Sequence, residues 1–138
     1  MRRGIVAIAF LIPFALAFAA PSCVPAPPGQ ITAARGVLTN FAGQPLGSAQ
    51  IRFFAAVQNP KSQLWHKTAK ALISASTDSQ GAFDFSTITP GTYFLEIKAA
   101  NVKRTLLATI MPRSQDAAQE IRVRLLEVEC NGFEVSAN

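Results

Sequence analysis

Between Thr77 and Lys98 the chain reads TDSQGAFDFSTITPGTYFLEIK, which specifies two strands and both of their turns. Phe83 and Phe85 alternate with Ala82 and Asp84. Tyr93, Leu95 and Ile97 alternate with Thr92, Phe94, Glu96 and Lys98, the period of a half-buried strand. Asp78-Ser79-Gln80-Gly81 predicts a turn in which Asp78 caps its own backbone and Gly81 takes the positive-φ position. Pro90-Gly91 predicts a second turn, with φ fixed at Pro90 and released at Gly91 to start the next strand. The five inward side chains contribute about 1.5 to 3 kcal/mol each when fully buried, so this unit anchors a core.

The first residues describe an address rather than a fold. Met1-Arg2-Arg3-Gly4 is followed by an apolar run from Ile5 to Ala20, the pattern of a secretory signal peptide. Pro21 disfavours cleavage after Ala20, which places the cut after Ala19. The run falls short of the roughly 20 residues of a membrane span and is interrupted by Pro13, so no transmembrane span is expected in the mature chain. Removing 19 residues from 138 leaves 119, enough for one domain with one core. Loss of Arg2 and Arg3 lowers the formal charge from +5 to +3. From Ala20 to Thr77 the chain has five basic residues (Arg35, Arg52, Lys61, Lys67, Lys70) and no acid, whereas six basic residues and all eight acids follow. One part of the fold is thus expected to be electropositive. Export argues against a nucleic-acid partner and leaves anionic polymers or lipid head groups.

Residues 20–30, with Pro21, Pro25, Pro27, Pro28 and Gly29, read as an extended tether without donors for a sheet. Ile31 to Thr39 reads as a first strand and Asn40 to Pro45 as its turn. Ala49, Ile51, Phe53 and Ala55 form the inward face of a second strand, with Arg52 outward. Gln58 to Ala69 breaks the alternation and reads as a long loop. Lys70 to Thr77 resumes as a short strand, and Leu106, Ala108 and Ile110 mark another that Pro112 stops. Arg113 to Gln119 reads as a polar connection. Ile121, Val123 and Leu125 alternate with Arg122 and Arg124 before the apolar phase slips to Leu126, Val128 and Cys130, the mark of a bulge or of a strand changing sheets. About seven short strands and no amphipathic helix predict an all-β sandwich over residues 31–130, with 131–138 as a tail.

The segment from Ala34 to Ile51, with Gly36, Leu38, Asn40, Gly43, Pro45, Leu46, Ala49 and Ile51 at their spacings, resembles the opening of carboxypeptidase regulatory-like domains. Thr-Asp-x-x-Gly-x-Phe-x-Phe and Pro-Gly-x-Tyr-x-Leu-x-Ile, beginning at Thr77 and Pro90, resemble their middle. The resemblance implies a seven-stranded, transthyretin-like Greek-key sandwich, also grouped with carbohydrate-binding-like folds. Asn40 stands where aspartate is common, and Ala99-Ala100-Asn101 replaces a glycine. In related proteins the module accompanies a catalytic domain or an outer-membrane receptor. Here neither peptidase chemistry nor transport carries over to the chain.

A catalytic reading would have to rest on His66, the single histidine, beside which no serine motif stands. One His and two distant Cys fall short of a zinc set, and no Gly-rich phosphate loop is present. Asp78, Asp84 and Asn40 are too scattered for a calcium cluster. The expectation is a non-enzymatic module with no cofactor and no metal. Its candidate binding patch runs from Lys61 to Lys67, with Trp65, His66, Lys61 and Lys67 available to a sugar face or a protein partner. Alternatively, Leu64 and Trp65 fold down to close an end of the sandwich. The partner is then either an envelope protein or a glycan.

The only two cysteines, Cys23 and Cys130, flank the domain. In an exported chain an even pair predicts a disulfide, which by closing the loop from 23 to 130 would contribute about 4 to 5 kcal/mol in the chain-entropy account. The competing reading makes Cys23 the lipidated N-terminus of a membrane-anchored lipoprotein, since Ala20-Pro21-Ser22-Cys23 loosely resembles a lipoprotein box. The expected location is secreted or periplasmic in the first case and membrane-attached in the second.

Overall fold

A computed structural model describes residues 26–111, 119–128 and 130–138. The expected signal peptide at 1–19, Cys23 with its lipoprotein-like box, most of the expected tether and all of the expected polar connection from Arg113 to Gln119 except Gln119 lie outside the described residues. The described chain is all-β, in two mixed sheets.

Ten strands occur among the described residues where about seven were expected: β1 (Gly29–Ile31), β2 (Arg35–Thr39), β3 (Gln50–Gln58), β4 (Trp65–Lys67), β5 (Ile73–Ser76), β6 (Ala82–Asp84), β7 (Gly91–Ala99), β8 (Val102–Ile110), β9 (Glu120–Leu125) and β10 (Phe133–Ala137). The larger sheet has the order β1-β8-β7-β3-β4, with β5 also pairing β3. The smaller has the order β10-β9-β2-β6. Both mix parallel and antiparallel neighbours, since β1 runs parallel to β8 and β2 parallel to β9.

Four expected bounds change, and three of the changes add a strand. The expected first strand breaks at residues 32–34, so that β1 joins one sheet and β2 the other. Gly29 and Gln30, assigned to the tether, already belong to β1: the prolines stop at Pro28, and the next residues recover their backbone donors. The expected long loop after Gln58 contains β4, held to β3 through Ala56↔Lys67 and Gln58↔Trp65. The expected tail at 131–138 contains β10, which pairs with β9 from Phe133↔Leu125 to Ala137↔Ile121. The apolar slip after Leu125 is therefore the end of a strand and a turn. Leu126 N–H donates to Gly132 O (2.7 Å), and Val128 is exposed.

The core follows the period-2 reading closely. Ala49, Ile51 and Phe53 from the β3 side, Leu95 and Ile97 from β7, and Leu106, Ala108 and Ile110 from β8 are buried against Ile121, Val123 and Leu125 of β9 and Phe83 of β6. Phe53 is fully buried and meets Phe85 edge-on at 5.1 Å, while Phe85 stacks on Phe83 at 4.3 Å. Tyr93 is only partly buried because its hydroxyl reaches back to Thr89 O (2.7 Å).

Asp78 accepts the Gln80 and Ala82 N–H groups on Oδ1 at 2.8 and 2.9 Å. Gly81 has φ +79°, and a Cβ there would sit 2.7 Å from Leu38 O, so both backbone conformation and space call for glycine. A Cβ on Gly36 would lie 2.0 Å from Ile121 O, which the close β2–β9 pairing forbids. The turn at Pro90-Gly91 differs, for Gly91 is not among the positive-φ residues and a Cβ there makes only ordinary contact with Tyr93. Just before the first turn, buried Thr77 Oγ1 accepts from Ala49 N (2.8 Å) and donates to Leu46 O (2.7 Å), tying the strand entries together.

Candidate functional site

The residues of the larger sheet that turn away from the core share one face. Across β3, β7 and β8 its rows are Gln50↔Lys98↔Lys103, Arg52↔Glu96↔Thr105 and Phe54↔Phe94↔Leu107. The face is charged at one end and apolar in the middle. Phe54 is only 4% exposed although it points away from the core. Lys67 Nζ sits 4.3 Å from its ring centroid and Arg52 Cζ 5.6 Å from it, so two cations roof the ring. Both also pair with Glu96, Arg52 through Nη2 to Oε2 and Lys67 through Nζ to Oε1. The hydrogen bond from Lys67 holds the Glu96 carboxyl below its ordinary pKa; its partial burial opposes this, and Arg52 adds to the lowering.

One row further along, the cations outnumber the acids. Lys98 and Lys103 stand directly opposite each other on β7 and β8, and neither has an ion pair among the described residues. They border a cleft of about 160 Å³ whose other walls are Gln50, Arg52, Glu96 and Ile97. Its single acid, Glu96, is already shared by Arg52 and Lys67.

The structure splits the patch expected from Lys61 to Lys67. Trp65 and Lys67, two apart on β4, share the outer face, as the position of Lys67 over Phe54 requires; His66 points to the opposite side, across from Val57. Lys61 lies in the tip of the β3–β4 hairpin, its N–H held by Asn59 Oδ1 (2.9 Å). Leu64 is exposed and Trp65 half-buried outside the core cluster, so neither closes the end of the sandwich.

The oxygen donors weighed for calcium are engaged separately. Asn40 Oδ1 accepts Gln44 N (2.9 Å), Asp78 caps its turn, and Asp84 pairs with Arg35 (3.0 Å) while accepting Ser86 N (2.6 Å). No group of three or more His, Cys, Asp or Glu that could hold a metal occurs among the described residues. No helix in them is long and apolar enough to cross a membrane. Cys23 lies outside the described residues, and no described cysteine is a free thiol. Asn131, next to Cys130, donates from Nδ2 to Pro27 O (3.4 Å) and accepts Leu107 N on Oδ1 (2.6 Å), so the β9–β10 turn touches both β8 and the segment leading into β1.

A second surface feature adjoins the hairpin. β4 and β5 follow one another along the same side of β3, bridged by Thr68 N to Ala55 O (3.2 Å) and Leu72 N to Phe53 O (2.7 Å), and among the described residues neither pairs with a strand on its other side. Leu64 and Leu72, each more than 40% exposed, stand at the starts of β4 and β5. No family model matches the chain, and it matches no curated protein and no solved structure.

Proposed function

We propose that the chain is an exported, non-enzymatic β-sandwich of the carboxypeptidase regulatory-like, transthyretin-like type that acts by contact with a protein of the bacterial cell envelope. The observation that carries this reading is the β4–β5 edge. A strand edge with unpaired backbone groups is a template for a further strand, and exposed apolar side chains beside it give such an addition its affinity. The Thr77 to Ile97 motif with its glycine-requiring turn supports the family assignment. The signal-like N-terminus supports export.

The Cys23 to Cys130 disulfide belongs to the same reading, supported by the contact of Asn131 with Pro27. Mass spectrometry of the exported protein tests it. An acylated Cys23, or two thiols alkylated without reduction, rejects the bridge.

For the edge, a photo-crosslinking residue at Leu72 should capture an envelope protein in producing cells while the same residue at Ser136, on β10 of the other sheet, captures none. Equal capture from both positions, or none from Leu72, contradicts the proposal. A second reading, glycan binding through Trp65, is favoured by one observation: the indole shares one sheet face with Lys67, Phe94 and the Lys98–Lys103 pair.

A further inference from the structure

Like charges directly opposite on neighbouring strands are destabilising. Lys98 and Lys103 face each other in that way, with Arg52 on the same cleft wall and the only acid there held by Arg52 and Lys67. Among the described residues, nothing within this face relieves the repulsion. A negatively charged ligand would.

The remainder of the face narrows the ligand's chemistry. From Gln50 to Gln58 the strand spans about 26 Å at its usual rise, so an occupant reaching from the Lys98–Lys103 cleft to Trp65 is a chain and not a single small anion. Along that path lie half-buried Phe94 and Trp65, ring systems suited to stacking on sugar faces, and the Thr92 and Thr109 hydroxyls, 2.9 Å apart. A lipid surface fits less well. Insertion between head groups needs protruding apolar side chains, whereas Phe54 and Leu107 are 4% and 7% exposed and lie recessed in the sheet.

We propose that the outer face of the larger sheet binds an acidic polysaccharide, with Lys98, Lys103 and Arg52 receiving its carboxylates and Phe94 and Trp65 its sugar rings. The proposal rests on the glycan reading of Trp65 and adds to it the charge of the ligand. Arg52 offers a planar pair of donors and the lysines offer mobile point charges, a combination that accepts carboxylates at slightly varying spacing along a polymer. Binding is then salt-dependent, because exposed charges are screened beyond about 8 Å at physiological ionic strength.

The test titrates the full chain with polygalacturonate and with its neutral methyl ester, reading Trp65 fluorescence, and with anionic phospholipid vesicles by co-sedimentation. The expected result is a Trp65 shift with polygalacturonate, about tenfold weaker binding of the ester, and about tenfold loss in K98Q/K103Q, as expected for two exposed ion pairs. R122Q/R124Q on the smaller sheet removes the same charge from elsewhere and should leave the affinity unchanged. Thermal midpoints near wild type for both double variants exclude misfolding as the cause. Equal binding of acid and ester overturns the acidic ligand and leaves glycan binding standing. No response to either polymer overturns both, as does binding to vesicles alone. Equal losses in the two double variants reduce the effect to net charge and overturn the site.

Discussion

The two sheets turn very different outer faces to solvent. On the smaller sheet the charges are matched locally: Arg35 pairs with Asp84 (3.0 Å), Arg124 with Glu134 (2.8 Å), and Arg122 donates to Asn138 (3.2 Å), which reaches Glu120 in turn. Those side chains are largely exposed, and such pairs contribute about 0 to 1 kcal/mol each. On the larger sheet Arg52 and Lys67 share Glu96 over a buried ring, and Lys98 and Lys103 are left without acids among the described residues. A balanced face needs only water. The unbalanced one carries aromatic rings beside its cations, and the proposed binding role of the larger sheet rests on this difference.

The largest expected effect falls on the scaffold that both faces share. Gly81→Val should destabilise by about 2 to 4 kcal/mol, because a β-branched residue at φ +79° is strained and its Cβ would crowd Leu38 O. Denaturant unfolding with a near-wild-type midpoint would break the assignment of this turn and with it the placement of Phe83 and Phe85. Gly91→Ala, at a turn without positive φ, should stay within about 0.5 kcal/mol of wild type.

The next effect separates the faces. Glu96→Gln leaves Arg52 and Lys67 crowded without their acid, and a loss of about 1 kcal/mol is expected. Glu134→Ala, which breaks the exposed pair on the smaller sheet, should cost less than about 0.5 kcal/mol. Equal costs would erase the energetic distinction between the faces.

The acid limb of stability sharpens the same point. Because the Glu96 pKa is lowered in the folded state, its contribution is fully present above the ordinary carboxylate range and is lost as pH falls through the folded value. Asp84 is lowered in the same direction, by its hydrogen bonds from Ser86 first and from Arg35 after, but it is more exposed and contributes less. Thermal midpoints followed from about pH 6 down to about pH 3 should therefore fall less steeply in Glu96→Gln than in wild type. Parallel curves would show that Glu96 is no better held than an ordinary surface carboxylate.

Much of the core was legible because burial on one face writes a period of two into Ile51-Arg52-Phe53, Phe83-Asp84-Phe85 and Ile121-Arg122-Val123. The outer face of the larger sheet was not, for reasons that are local and physical. Phe54 departs from the alternation of its own strand, but nothing in that strand says what covers it; Lys67 reaches over its ring from β4, after a hairpin whose polar tip reads as loop. Lys98 and Lys103 come together only through the tight turn at Ala100-Asn101, and Val102-Lys103-Arg104-Thr105, with three polar residues in a row, carries no period-two signal that β8 begins so early. The charge asymmetry along the sequence pointed to residues 20–77, yet the electropositive face combines Arg52 and Lys67 with two lysines from the acid-rich half. Strand pairing, not sequence neighbourhood, decides which charges meet.

The outer face of the larger sheet is tested most directly by a chemical-shift map of the isotopically labelled full chain titrated with polygalacturonate. If this face binds the polymer, saturable shifts appear at Arg52, Phe94, Trp65, Lys98 and Lys103, with the amides of β9 and β10 unmoved. Shifts confined to Arg122, Arg124 and their neighbours on the smaller sheet, or spread evenly over both faces, would contradict it.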